Sequence, residues 1–119
     1  MIIADTSVWI AHFRKSDKRL SSLLEESEIS CHPFIIGELA CGGLGNRKEI
    51  LSLLQALPTY SPISTTEFFH FLDSYRLYGK GIGFVDVHLL ASAFLNSDFV
   101  WTLDKKLDLI ARRFKIAFV

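Results

Sequence analysis

A chain of 119 residues is long enough for one domain around one core. Half of it is hydrophobic and its mean hydropathy is +0.29, which is rich for a small monomer, so a self-association or partner face is expected. Lys+Arg and Asp+Glu both total 13, so no global basic charge marks the chain as a nucleic-acid binder. Local basic clusters occur at Arg14-Lys15 with Lys18-Arg19, at Arg47-Lys48, at Arg76 with Lys80, and at Arg112-Arg113 with Lys115. Each alone reads as a solvated face. Several of them around one acidic cleft would make a phosphate backbone a credible ligand. The two cysteines, Cys31 and Cys41, lie in apolar surroundings and are expected to be buried, reduced thiols of a cytoplasmic protein. No Cys/His set has zinc spacing, the start of the chain lacks a signal-peptide pattern, and no apolar run spans a membrane.

The chain opens with the apolar run Met1-Ile2-Ile3-Ala4, too short for a buried helix and β-branched enough for a central strand. Asp5 closes it, and Thr6 and Ser7 start a helix through Val8, Trp9 and Ile10. A second helix begins at Ser16-Asp17, with Leu20, Leu23 and Leu24 on one face. Glu28 to Cys31 is a short strand. Pro33 suits the first turn of a helix through Cys41, which Gly42-Gly43 stops. Asn46 caps the next helix, with Ile50, Leu53, Leu54 and Leu57 as its apolar stripe. Pro58 ends it, and Thr59 to Pro62 has room for a third strand.

Ser64-Thr65-Thr66-Glu67 is a capping-box pattern. It opens a helix with Phe68, Phe71, Leu72 and Tyr75 at helical spacing. The Gly79-Lys80-Gly81-Ile82-Gly83 stretch breaks the pattern before a helix from Phe84 to about Leu95. A turn and strand follow from Asp98 to Thr102, then a helix from Asp104 to Phe114 and a last strand from Ile116 to Val119. Strands alternating with helices indicate an α/β fold on a mostly parallel sheet, without linker or repeat, and so a single domain over 1–119.

Four carboxylates sit where solubility does not explain them: Asp5, Glu38, Asp86 and Asp104. Asp5 and Asp104 each follow a strand and precede a helix. In open parallel sheets that edge is where ligands bind. Glu38 is the only charge in Pro33 to Cys41 and is expected on a buried or partly buried face. Asp86 lies in the first turn of its helix, on the side of Leu89, Leu90 and Ala93. Each has a plainer role when taken alone. Asp104 reads first as an N-cap, Asp86 as a helix-terminal charge as much as a site residue, and Glu38 as a helix charge or a core salt bridge. Together they repel, so the cluster needs protons or cations. Oxygen-rich acidic sites suit Mg²⁺ or Mn²⁺.

These residues carry a resemblance. Ile3-Ala4-Asp5-Thr6-Ser7-Val8-Trp9-Ile10, Glu38 in an apolar helix, Gly81-Ile82-Gly83-Phe84-Val85-Asp86 leading into Leu89-Leu90-Ala91-Ser92-Ala93, and Trp101-Thr102-Leu103-Asp104-Lys105 occur in the order of a PIN domain. The chain resembles that family, and more closely the VapC toxins of bacterial toxin–antitoxin pairs. The resemblance implies a three-layer sandwich around a mostly parallel sheet of four to five short strands. It implies a Mg²⁺- or Mn²⁺-dependent endoribonuclease that leaves 5′-phosphate and 3′-hydroxyl ends. Asp5 and Asp86 are then direct metal ligands, and Glu38 and Asp104 bind directly or through water. Thr6 and Thr102 are supporting hydrogen-bond donors, though Thr6 also fits as a helix cap and Thr102 as a strand residue. A homodimer, an RNA substrate and a cognate antitoxin covering the acidic cleft are further implications.

Two other functions fit parts of the pattern. A haloacid-dehalogenase-type phosphatase also begins with Asp after a strand, but wants a second Asp where Ser7 stands. A catalytically silent module of the same fold would bind RNA or protein, yet all four acids are present. Other motifs are set aside. The Gly79–Gly83 stretch lacks the strand and Gly-Lys-Ser/Thr order of a phosphate loop. Phe68, Phe69, Phe71, Tyr75 and Tyr78 suit packing more than base stacking. His12, His32, His70 and His88 show no metal spacing.

Overall fold

The computed structural model describes residues 1–119. Three parallel strands, β1 (Ile2–Ala4), β2 (Ile29–Ser30) and β3 (Phe99–Trp101), form a sheet in the order β2-β1-β3. Ile2 is in register with Ile29 on one side and Phe99 on the other. β1 therefore has neighbours on both sides, and its Ile3 and Ala4 are fully buried. This is why the run is apolar without alternation.

The strand expected over Thr59–Pro62 contracts to a single parallel bridge between Thr59 and Cys31. Pro58 and Pro62 flank it and have no N–H to extend a ladder. At the other rim Ala117 bridges Val100, with Val100 N–H donating to Ile116 and Phe118 N–H to Val100. Three strands and two single-bridge rims thus make up the central layer.

Seven helices cover it: α1 (Thr6–Arg14), α2 (Lys18–Glu25), α3 (Pro33–Cys41), α4 (Arg47–Ala56), α5 (Thr65–Ser74), α6 (Phe84–Leu95) and α7 (Lys105–Arg113). Their starts follow side-chain chemistry. Asp17 accepts from Leu20 N–H, and Ser64 and Glu67 complete the capping box of α5. α1 is capped by Asp5 rather than by Thr6, which is its first helical residue. Asn46 precedes α4 in a left-handed conformation and its side chain caps nothing. In the α4 stripe Leu54 is buried, but Leu53 is exposed.

α6 packs on β1, β3 and α5. Every residue from Val87 to Ala93 is buried, so α6 is enclosed all round there rather than striped. Truncating Leu89 or Leu90 to Ala there would cost about 2–5 kcal/mol through lost contacts and the cavity left behind. α7 contrasts with it, burying one stripe of Leu107, Ile110 and Ala111 under charged residues. Cys31 is buried, and burial pushes its thiol up to about 11. Cys41 is exposed at the end of α3, contrary to the expectation from its apolar neighbours, because the helix runs out into the Gly42-Gly43 turn. No helix is long and apolar enough to cross a membrane.

Candidate active site

β1 and β3 end side by side, with Ala4 in register with Trp101. The residues that follow, Asp5 and Thr102, meet at the C-terminal edge of the sheet. Asp5 is 6 % exposed. Its Oδ1 accepts from Ser7 N–H at 2.9 Å and from the Ser7 hydroxyl. Its Oδ2 accepts from the Thr102 hydroxyl at 2.5 Å. Thr102 Oγ1 in turn accepts from Asp104 N–H, and Ser7 Oγ accepts from Leu103 N–H, both at 3.0 Å. The two strand–acid–helix junctions are thus clamped to each other by hydroxyls.

Asp104 caps α7, with Oδ1 accepting from Lys106 and Leu107 N–H at 2.8 and 3.1 Å. Glu38 is exposed on α3 rather than on a buried face, and the Thr6 hydroxyl donates to its Oε1 at 2.6 Å. Asp86 sits half-buried in the first turn of α6, and its Oδ2 accepts from Gly83 N–H at 3.0 Å. Burial raises the Asp86 carboxyl above its ordinary value. The Gly83 N–H opposes that rise, and the negative charges of Asp5, Asp104 and Glu38 add to it. Asp86 therefore feels the charges of all three other acids.

In this arrangement each carboxylate is turned to a local donor, and no three acidic, His or Cys side chains form a group that could hold an ion. The donor set itself suits a hard divalent cation: oxygen only, four negative charges, and no Lys or Arg paired with any of them. Ser7, which the sequence marks only as a helix-starting residue, also belongs to the site through its hydroxyl on Asp5. Its position two after Asp5, at a helix start, is the signal for a hydroxyl that turns back on the cap. Asp104 does serve as an N-cap, the plainer role open to it, and in doing so its carboxylate is held on the same edge.

The chain matches the PIN domain family over residues 2–113. It belongs to that family. Among curated proteins it is similar to Ribonuclease VapC32 of Mycobacterium tuberculosis, from strains CDC 1551 / Oshkosh and ATCC 25618 / H37Rv. Each is 43% identical over 108 residues, covering 90% of this chain and 87% of the relative. Among solved structures, PAE2754 from Pyrobaculum aerophilum superposes with a TM-score of 0.60 at 12% identity, covering 96% of this chain and 88% of that one. The last likeness concerns the fold alone.

Proposed function

We propose that the chain is a divalent-metal-dependent endoribonuclease of the VapC type, and that Asp5, Glu38, Asp86 and Asp104 are its active site. The observation that carries it is the paired ends of β1 and β3, which bring Asp5 and Asp104 to one edge of a PIN-family chain with no Lys or Arg in an ion pair with any of the four acids. Asp5 and Asp86 would hold the ion directly. Glu38 and Asp104 would hold it directly or through water, each exchanging internal donors for it. Mg²⁺ or Mn²⁺, when bound, lowers the pKa of its water and neutralises charge on the scissile phosphate.

The protein's part is placement. Thr102 and Ser7 fix the Asp5 carboxylate from two sides, and Thr6 holds Glu38 toward α1. One of the acids that would hold the ion through water, Glu38 or Asp104, would accept the proton of the attacking water. Water adds to phosphorus and the bond to O3′ breaks, leaving a 5′-phosphate and a 3′-hydroxyl. The oxygen that leaves takes a proton from solvent.

The chain acts as one domain, since one cluster of 25 buried residues draws on elements from β1 to α7. It works in the cytoplasm, in keeping with two unpaired cysteines. A homodimer and a cognate antitoxin are its partners. Exposed Leu53, Phe69, Tyr75, Phe94 and Leu95 supply apolar surface for such faces. The test is cleavage of a structured RNA pool with Mn²⁺, with EDTA, and with Asp86→Asn. Cuts that need the metal and vanish in the variant support the assignment. Cuts that persist in EDTA or in Asp86→Asn overturn it.

A further inference from the structure

An aromatic ring at the start of the helix that carries Asp86 has no part in hydrolysis. Phe84, the first residue of α6, is 58% exposed. Its ring stacks on Phe34, with centroids 5.8 Å apart and planes 25° from parallel. Phe68 at 5.0 Å and the edge-on ring of His88 at 4.6 Å complete its support. Three rings therefore hold Phe84 in place and leave its remaining surface to solvent. Such a ring can take a further stacked partner at little loss of side-chain freedom, because its χ angles are already fixed.

Its position says what that partner is. Gly83, just before Phe84, donates its N–H to Asp86, two residues after it. Phe34 stands one helical turn before Glu38 on α3, so it lies on the same side of that helix. The two stacked rings thus bridge the two helices that carry two of the four acids. A cation lies close by. The Lys106 side chain crosses Gly81, in the loop that leads into α6, so closely that a Cβ there would meet its Cδ at 2.7 Å and its Nζ at 2.9 Å. Gly81 has φ +80, so the backbone also favours glycine. Lys106 is in no ion pair. A flat ring on the first residue of α6 and an unpaired ammonium lying against the loop that leads into it, at the start of the helix that carries Asp86, match the two halves of a nucleotide, base and phosphate.

We infer that Phe84, backed by Phe34, stacks a base of single-stranded RNA next to the scissile phosphate, with Lys106 meeting the phosphate backbone. This rests on the endoribonuclease assignment above and adds the residue that positions its substrate. Stacking accepts any base, so Phe84 registers the strand over the acids without reading its sequence.

The probe is short single-stranded RNA carrying 2-aminopurine, bound in Ca²⁺ to hold off cutting. Wild type is expected to quench the fluorophore at one position. Phe84→Leu, which keeps an apolar side chain over Phe34, should bind about tenfold more weakly and lose the quench, whereas Phe84→Trp should retain both. In Mn²⁺, Phe84→Leu should raise KM about tenfold with kcat near wild type. An abasic nucleotide at the quenched position should cost wild type the same factor and cost Phe84→Leu nothing further. Equal quench in Phe84→Leu, additive losses, no binding at all, or a change confined to self-association or protein binding each overturns the inference. Metal-dependent cutting with Phe84→Leu unimpaired overturns only this inference. Phe84-dependent quenching without metal-dependent cutting overturns only the nuclease assignment.

Discussion

Two buried aspartates stand at opposite ends of the same sheet, Asp5 after β1 and Asp98 before β3, and they are solved differently. Asp98 is 4% exposed and fully compensated. Its Oδ1 accepts from the Met1 ammonium at 3.0 Å, and its Oδ2 from the Tyr60 hydroxyl. Burial, and then Asp98 itself, hold that phenol above its ordinary value, so it stays a donor. Asp5 is just as buried but receives only hydroxyl and backbone donors, and its charged neighbours are acids. A buried charge is costly unless paired. Asp98 finds its counter-charge within the fold. Asp5 has none there, and that difference is what the metal-ligand role proposed for Asp5 rests on.

The largest expected effect breaks the comparison at Asp5. Asp5→Asn should lower RNA cleavage about a thousandfold or more while stability stays level or rises, because like-charge repulsion is relieved. Chemical denaturation beside an RNA-cleavage time course checks both halves. Mn²⁺ should raise the melting temperature of wild type and not of the variant. A well-folded Asp5→Asn that cleaves as fast as wild type would remove Asp5 from the chemistry.

Acid is expected to act next, at a group belonging to neither aspartate. His32 is fully buried and caps α3 by accepting from Phe34 N–H at 3.0 Å, which keeps the ring neutral. Burial, and then His88, lower its pKa to about 4. The folded value lies below the unfolded one near 6.5, so the unfolded chain binds the proton first. The stabilisation is complete above pH 6.5 and is lost as pH falls toward 4, by roughly 2–3 kcal/mol. Urea titrations across that range measure it. His32→Asn keeps an acceptor for the helix and should flatten the decline.

Asp98→Asn sharpens the comparison from the other side. It should cost about 2 kcal/mol of stability, since an ion pair half-open to water is worth less than a sealed one, and leave cleavage per folded molecule unchanged. Lost cleavage at full stability would show that the two ends are not separate. The smallest effect is expected at Ser7→Ala. It removes one donor to Asp5 and the acceptor for Leu103 N–H, about 1 kcal/mol, with a modest fall in cleavage.

Much of this was legible in local chemistry. The capping box at Ser64, the stop at Gly42 and the helix from Phe84 to Leu95 follow from spacing and from Gly and Pro positions. Asp5 and Asp104 were recognisable because each interrupts an apolar run at a helix start. The errors came where tertiary contact decides. Cys41 and Leu53 look buried among apolar neighbours, yet no element covers them. Glu38 looked enclosed and is exposed. Ser7 reads only as a helix starter, because its second partner, Leu103 N–H, lies 96 residues away.

By itself the sequence determined the kinds of element, their order and the four acids, since periodicity, capping and the cost of lone charges are local. Only the tertiary structure decided that Asp5 and Asp98, alike in composition and burial, differ in what answers their charge. It also decided that the ring of Phe84 is backed by Phe34, 50 positions earlier. Parallel pairing of β1 with β3 sends chain segments nearly a hundred residues apart to one edge. Which donors, acids and rings meet there depends on that register, and no local pattern records it.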